Sequence, residues 1–267
     1  MSALSAQVTI DDHLTSKHDR IERLDQNILY AQKLQDALFR NKTVEDHFKD
    51  GFIIDQPKDA VGGDFYLVDS IAGQKMILVG DCTGHGPSGA MLSALCVSIL
   101  KELLNKYKTL SPALIITKAL DRLASMLDNG DDYLSDGMEA TLLFINESKK
   151  QIKFASTGQY VFTYGSDVSK TIKTRHVGYE KSSVNIEDQC ITYTDDTMIY
   201  VSTDGMKDQF GSETGRRFSN KRLESCFSDF WELSGRDQSD KIKERFQDWQ
   251  GTLEEQTDDI LLLGIRL

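Results

Sequence analysis

Several features are missing from this chain of 267 residues, and each absence removes a class of function. The cysteines Cys82, Cys96, Cys190 and Cys226 stand singly, with no CxxC spacing, so neither a zinc ribbon nor a disulfide framework is written here. They read as reduced thiols in a cytosolic setting. Cations are in deficit: 31 Lys and Arg against 42 Asp and Glu give a formal net charge of -11, which argues against non-specific binding of nucleic acid or of an anionic membrane. No apolar run approaches the length of a membrane span, and the opening residues MSALSAQVTIDDHL lack the basic and apolar regions of a signal peptide. The expected location is cytoplasmic, for this chain alone or as the cytoplasmic part of a larger membrane-anchored sensor. No internal repeat and no Pro- or Ser-rich linker interrupts the chain after about residue 45, so one sizeable domain with an appendage is expected.

What is present begins with that appendage. Residues 1–16 are polar and weakly patterned, and they read as a flexible lead. From Lys17 to Arg40, Ile21, Leu24, Ile28, Ala31 and Leu38 keep a roughly heptad spacing, interrupted by Gln35. Two readings stay open: an amphipathic helix docked on its own domain, or a short coiled-coil seam that forms a homodimer or transmits a signal. Residues 1–45 are assigned to this lead and helix, and residues 46–267 to the main domain.

Within the domain, Phe52–Gln56 is a strand stopped by Pro57. The runs FYLV and KMILVG are rich in β-formers and are joined by a turn at Gly73-Gln74, which predicts an antiparallel hairpin with Asp64 and Asp81 near the same sheet edge. Two helices follow, over Met91–Leu104 and from Ser111-Pro112, where Ser can cap and Pro fits the first turn. After a loop at Asp128–Gly137 come strands at Glu139–Asn146, Gln151–Ser156, Tyr160–Tyr164, Val184–Tyr193 and Met198–Thr203. Helices at Phe218–Phe227 and Asp237–Trp249 precede a last strand, Ile260–Leu267. Strands on both sides of a central helical pair predict an α+β fold: two packed antiparallel sheets flanked by helices.

The acidic residues carry the chemistry. Asp64 and Asp81 sit in glycine at strand ends, and two carboxylates so close repel unless a cation lies between them. Oxygen-only ligands suit a hard ion such as Mg²⁺ or Mn²⁺. Asp204 follows MIYVST, while Asp258 and Asp259 precede the final strand. Taken singly, each is explained as well by the habit of Asp-Gly and Asp-Asp pairs to end strands and begin turns. The stretch GHGPSG could cradle phosphate at a helix N-terminus, but it lacks the Lys-Ser/Thr of a P-loop and the spacing of GxGxxG.

Together and in order, GGDFY, GDCTGHG, STDG and TDDILLL resemble the metal-dependent protein phosphatase (PPM) family, in its bacterial branch of SpoIIE- and RsbU-like serine phosphatases. The resemblance spans about residues 46–267. It implies an α-β-β-α sandwich with a centre of two Mn²⁺ or Mg²⁺ ions at one edge of the paired sheets. It further implies that Asp64 bridges both ions, that Asp81 and the backbone carbonyl of Cys82 ligate one, and that Asp204 and Asp258 ligate the other. Asp259 is assigned behind this set or as an alternative ligand, and Asp136, in SDGMEATLL, occupies the place some relatives use for a weaker third ion. Gln159, in TGQY, stands where relatives often carry His, which removes any role borrowed from that His. His85 is either a general acid or a loop residue that holds backbone by hydrogen bonds. Arg216 and Arg217 could meet a phosphoprotein or simply be solvated, and no Arg is evident near Asp64 to hold phosphate. The implied activity is hydrolysis of phosphoserine or phosphothreonine by a metal-activated water, on a regulatory protein such as an STAS-type anti-sigma-factor antagonist. The alternative is a catalytically weak pseudo-phosphatase that serves as a phosphoprotein-binding scaffold, and a full set of aspartates argues against it.

Overall fold

Strands with apolar side chains on both faces need a covering layer on each side. The computed structural model, which describes residues 3–39, 43–107, 111–128, 136–165, 168–172 and 186–267, supplies those layers. In chain order the elements are α1 (Ala3–Phe39), β1 (Asp50–Gln56), β2 (Phe65–Ile71), β3 (Gln74–Cys82), α2 (Gly86–Lys106), α3 (Pro112–Leu127), β4 (Met138–Asn146) and β5 (Gln151–Ser156). They continue with β6 (Tyr160–Gly165), β7 (Val168–Ile172), β8 (Gln189–Thr192), β9 (Met198–Ser202), α4 (Gly205–Asp208), α5 (Ser219–Phe230), α6 (Gly235–Gln250) and β10 (Ile260–Arg266). One sheet has the order β1-β10-β9-β6-β7 and the other β2-β3-β4-β5-β8, with antiparallel pairing throughout.

Alternation along each strand divides the core into three parts. Ile77 and Val79 of β3 meet Leu261, Leu263 and Ile265 of β10 between the sheets. Met76 and Leu78 of the same β3 face outward to Leu100, Leu103 and Ile115 of α2 and α3. On the opposite side Met198 and Tyr200 of β9 pack with Phe227 of α5 and Ile242 of α6. Each such Leu, Ile or Phe contributes roughly 1.5–3 kcal/mol when fully buried, so the two sheets and their helices hold each other in register. The Ser111 hydroxyl accepts the Leu114 N–H at 3.1 Å and Pro112 opens α3, as the sequence predicts.

Several expectations are corrected. Helix α1 begins at Ala3, where the sequence reads as a flexible lead; no Gly or Pro precedes Gly51, so nothing local breaks the helix. The hairpin turn is Ala72-Gly73, with φ of 51° and 77°, one residue earlier than expected, and Gln74 already pairs with Ile71. Strand β7 and the short α4 were not evident, because VSKTI and GMKD carry little periodic signal. Helix α2 is long and apolar enough to cross a membrane by length and composition, and it instead lays its apolar stripe on the sheet and α3. The first two residues of the expected Val184–Tyr193 strand, residues 129–135 of the expected loop, Arg40 and His176 lie outside the described residues, as do the side chains of His13 and His18.

Candidate metal centre

The register Phe65↔Gly80 sets Asp64, just before β2, beside Asp81 near the end of β3. From the facing sheet, β9 ends one residue before Thr203-Asp204, and Asp258-Asp259 lead directly into β10, its neighbour. Four strand ends from two sheets thus deliver their aspartates to one edge of the sandwich. Thr203 ties the edge together: its hydroxyl donates to Asp64 Oδ2 at 2.7 Å and accepts the Leu261 N–H at 3.0 Å.

The electrostatics of this edge are those of crowded carboxylates. Burial holds the Asp64 carboxyl well above the usual carboxylate range, and the charge of Asp81 adds to the effect, followed by Asp259 and Asp204; the Thr203 hydrogen bond opposes it. Burial likewise pushes Asp81 up, with Asp204, Glu139 and Asp258 reinforcing and Lys207 opposing. Asp204 is raised by burial, against the pull of Lys207. Like charges gathered out of water call for positive charge among them, and every donor here is oxygen. A Cβ placed on Gly63 would lie 2.7 Å from the Cys82 carbonyl oxygen, so that carbonyl abuts the backbone next to Asp64. Among the described residues no three His, Cys, Asp or Glu side chains close into a ready-made cage. Mg²⁺ does not require one, since it keeps several waters and takes one or two carboxylates. The donor set therefore fits a hard divalent ion.

The two neighbouring aspartates at β10 differ sharply. Asp259 is 3% exposed and accepts the Lys58 N–H at 2.8 Å and the Gly63 N–H at 2.6 Å, so both its oxygens hold the loop that carries Asp64. Asp258 is exposed and acts on Asp81 and Asp204 by its charge. Asp136 is half-buried next to Gly137, which exchanges hydrogen bonds with Thr83; it is not among the charges that act most on Asp64, Asp81 or Asp204. His85 does not hold backbone through its ring: Nδ1 lies 2.9 Å from Asp59 Oδ2 and Nε2 lies 2.9 Å from Lys58 Nζ, because the loop after β1 folds over the start of α2. Gln159 is buried beside the edge. Arg217 remains exposed but pairs with Asp208 at 2.8 Å.

Three residues at this edge escaped the sequence reading. Glu139 is the cross-strand partner of Asp81, and its carboxylate packs against Gly158. Lys207 lies 3.6 Å from Asp204 and 2.9 Å from Asp208. Gln35 of α1 donates to the Gly62 carbonyl at 2.6 Å and to the Ser93 hydroxyl at 3.2 Å, so the residue that breaks the heptad spacing is the one that docks α1 on the Asp64 loop. A polar residue at an apolar heptad position was the only available signal.

Residues 72–267 match the family described as Stage II sporulation protein E (SpoIIE). Among solved structures, the SiaA-PP2C domain of Pseudomonas aeruginosa superposes with a TM-score of 0.85 at 24% identity, over 93% of this chain and 98% of that one. The RsbU and RsbW domains of a Mycobacterium tuberculosis protein give 0.61 at 16% identity, over 81% of this chain and 60% of that one. RsbX in complex with magnesium gives 0.54 at 14% identity, over 81% and 94%. No curated protein matches. The fold is that of a PP2C-type serine/threonine phosphatase domain. Within that class, the chain belongs to the SpoIIE family.

Proposed function

We propose that the protein removes phosphate from phosphoserine or phosphothreonine on a regulatory protein, with two Mg²⁺ or Mn²⁺ ions held by Asp64, Asp81, Asp204, Asp258 and the Cys82 carbonyl. The observation that carries the reading is the mutual repulsion of carboxylates from four separate strand ends, in a chain of the SpoIIE family. When bound, such ions supply the charge that neutralises phosphoryl oxygens and lowers the pKa of water. The chain's own residues orient and support that set. Thr203 fixes one Asp64 oxygen, Asp259 holds the loop at Lys58 and Gly63, and Gln35 braces Gly62 from outside. No side-chain nucleophile is needed, in keeping with the buried state of Cys82 and Ser93.

The proposed substrate is an STAS-type anti-sigma-factor antagonist, in line with the RsbU resemblance of the motifs. The chain is also proposed to act in the cytoplasm, a reading supported by its four free thiols, and to pair with a second copy along α1, where Ile21, Leu24, Leu34 and Leu38 are exposed. Hydrolysis of p-nitrophenyl phosphate and of a phosphorylated STAS protein, with Mn²⁺ and then with EDTA, tests the activity. Turnover that disappears with EDTA and returns with Mn²⁺ supports it, whereas folded protein without metal-dependent turnover points to the scaffold alternative.

A further inference from the structure

We infer that Lys207 is the cation that receives the phosphoryl group of the substrate at the rim of the carboxylate edge. The inference rests on the phosphatase reading and adds a phosphate-binding residue to it. Lys207 follows Asp204 by three positions, on the short α4, and its side chain is 23% exposed, so the ammonium is held in place yet opens to the edge. It lines a narrow cleft with Glu139, Gln159, Thr203, Asp204 and Asn220, so a phosphoryl group would meet the ammonium at the mouth of that cleft.

The ammonium stands among the carboxylates of Asp204, Asp208 and Glu139, and divalent ions at the proposed ligand set would turn that balance toward an anion. Lys207 Nζ lies 2.9 Å from Asp208 Oδ2, while Arg217 Nη1 lies 2.8 Å from the other oxygen, Oδ1. One carboxylate is thus shared by two cations, so Asp208 alone does not neutralise the Lys207 ammonium. Its second neighbour, Asp204 at 3.6 Å, belongs to the proposed ligand set, where divalent charge would compensate it. Arg217 is fixed in turn by the Phe210↔Arg217 bridge and lies over the Phe210 ring at 5.7 Å, so the arrangement is braced on both sides. A lysine suits the task because a compact ammonium with three rotatable donors can follow phosphoryl oxygens as they move.

The test is calorimetric, on the Mg²⁺-loaded full chain titrated with inorganic phosphate, and on the same proteins titrated with Mg²⁺. Lys207→Met is compared with wild type and with Lys241→Met, which removes an exposed lysine that pairs with its α6 neighbour Glu244. Loss of one charge-assisted hydrogen bond predicts about tenfold weaker phosphate binding in Lys207→Met, with Mg²⁺ affinity changed less than about threefold. Lys241→Met should bind phosphate as wild type does. Unaltered phosphate affinity in Lys207→Met overturns the inference, as does an equal loss in Lys241→Met, or a loss that merely tracks weaker Mg²⁺ binding. Wild type that neither binds Mg²⁺ nor hydrolyses p-nitrophenyl phosphate defeats the phosphatase reading itself; wild type that does both, beside an unaffected Lys207→Met, defeats only the lysine.

Discussion

Asp259→Asn and Asp258→Asn exchange one atom in each of two adjacent residues, and the structure predicts opposite results. Asp259 uses both oxygens as acceptors, for the N–H of Lys58 at 2.8 Å and of Gly63 at 2.6 Å, and is 3% exposed. An amide has one acceptor, so one of those N–H groups would face an NH₂. The lost charge-assisted bond costs about 1.5–3 kcal/mol, and the stranded donor about 1–3 kcal/mol more. Removing the charge also relieves its repulsion of Asp64, which offsets part of this cost. The net destabilisation therefore stays below the sum of the two costs, about 2.5–6 kcal/mol, and Tm should fall by roughly 2–4 °C for each kcal/mol. Asp258 is exposed, and its Oδ1 accepts the Asp259 N–H at 2.9 Å, a bond that an Asn oxygen retains. Its stability should stay within about 0.5 kcal/mol of wild type, while Mg²⁺ affinity and turnover fall by about tenfold or more. Urea unfolding followed by circular dichroism in EDTA keeps ion binding out of the comparison, and a Mg²⁺ titration follows. A wild-type unfolding midpoint for Asp259→Asn, or a large loss of stability in Asp258→Asn instead, would refute this division of labour.

Three further outcomes are expected. The Asp64, Asp81 and Asp204 carboxyls are raised in the folded state, so their contribution to stability is fully present below the unfolded value, 3.8, and is lost as pH rises through the folded values. In EDTA the wild-type urea midpoint should therefore drop as pH rises above 3.8, and Asp64→Asn should drop less; superimposable profiles would contradict the repulsion. Gly205→Ala would press its methyl onto the Asp259 carbonyl oxygen, and the overlap should cost about 1–3 kcal/mol in thermal unfolding and lower turnover by shifting Asp204. Gln35→Leu removes the hydrogen bonds from α1 to Gly62 and Ser93, so Mg²⁺ affinity should weaken although the substitution touches none of the ligand aspartates; an unchanged calorimetric titration would show that α1 does not brace the site.

The local features of the fold were legible because their causes are local. Unbroken apolar runs announce β3, β4 and β9, Ser111-Pro112 starts α3, and glycine marks the β2–β3 turn to within one residue. Ordered motifs pointed to Asp64, Asp81, Asp204 and Asp258, since each stands at the end of an apolar strand. What the chain could not display is who meets whom. Thr203 and Asp64 are 139 positions apart, and Asp259 holds the amide of Lys58 from 201 positions away. Glu139 and Lys207 look like ordinary polar residues until strand register and the turn of α4 bring them to the same edge. Likewise, neighbouring residues on an extended chain point to opposite sides, so TDDILLL could not tell which aspartate faces solvent and which is buried. The sequence by itself determined which strands would form and where their carboxylates would stand; only the packing of two sheets decided which of those carboxylates share a space, because their repulsion exists only once the strand ends are brought together.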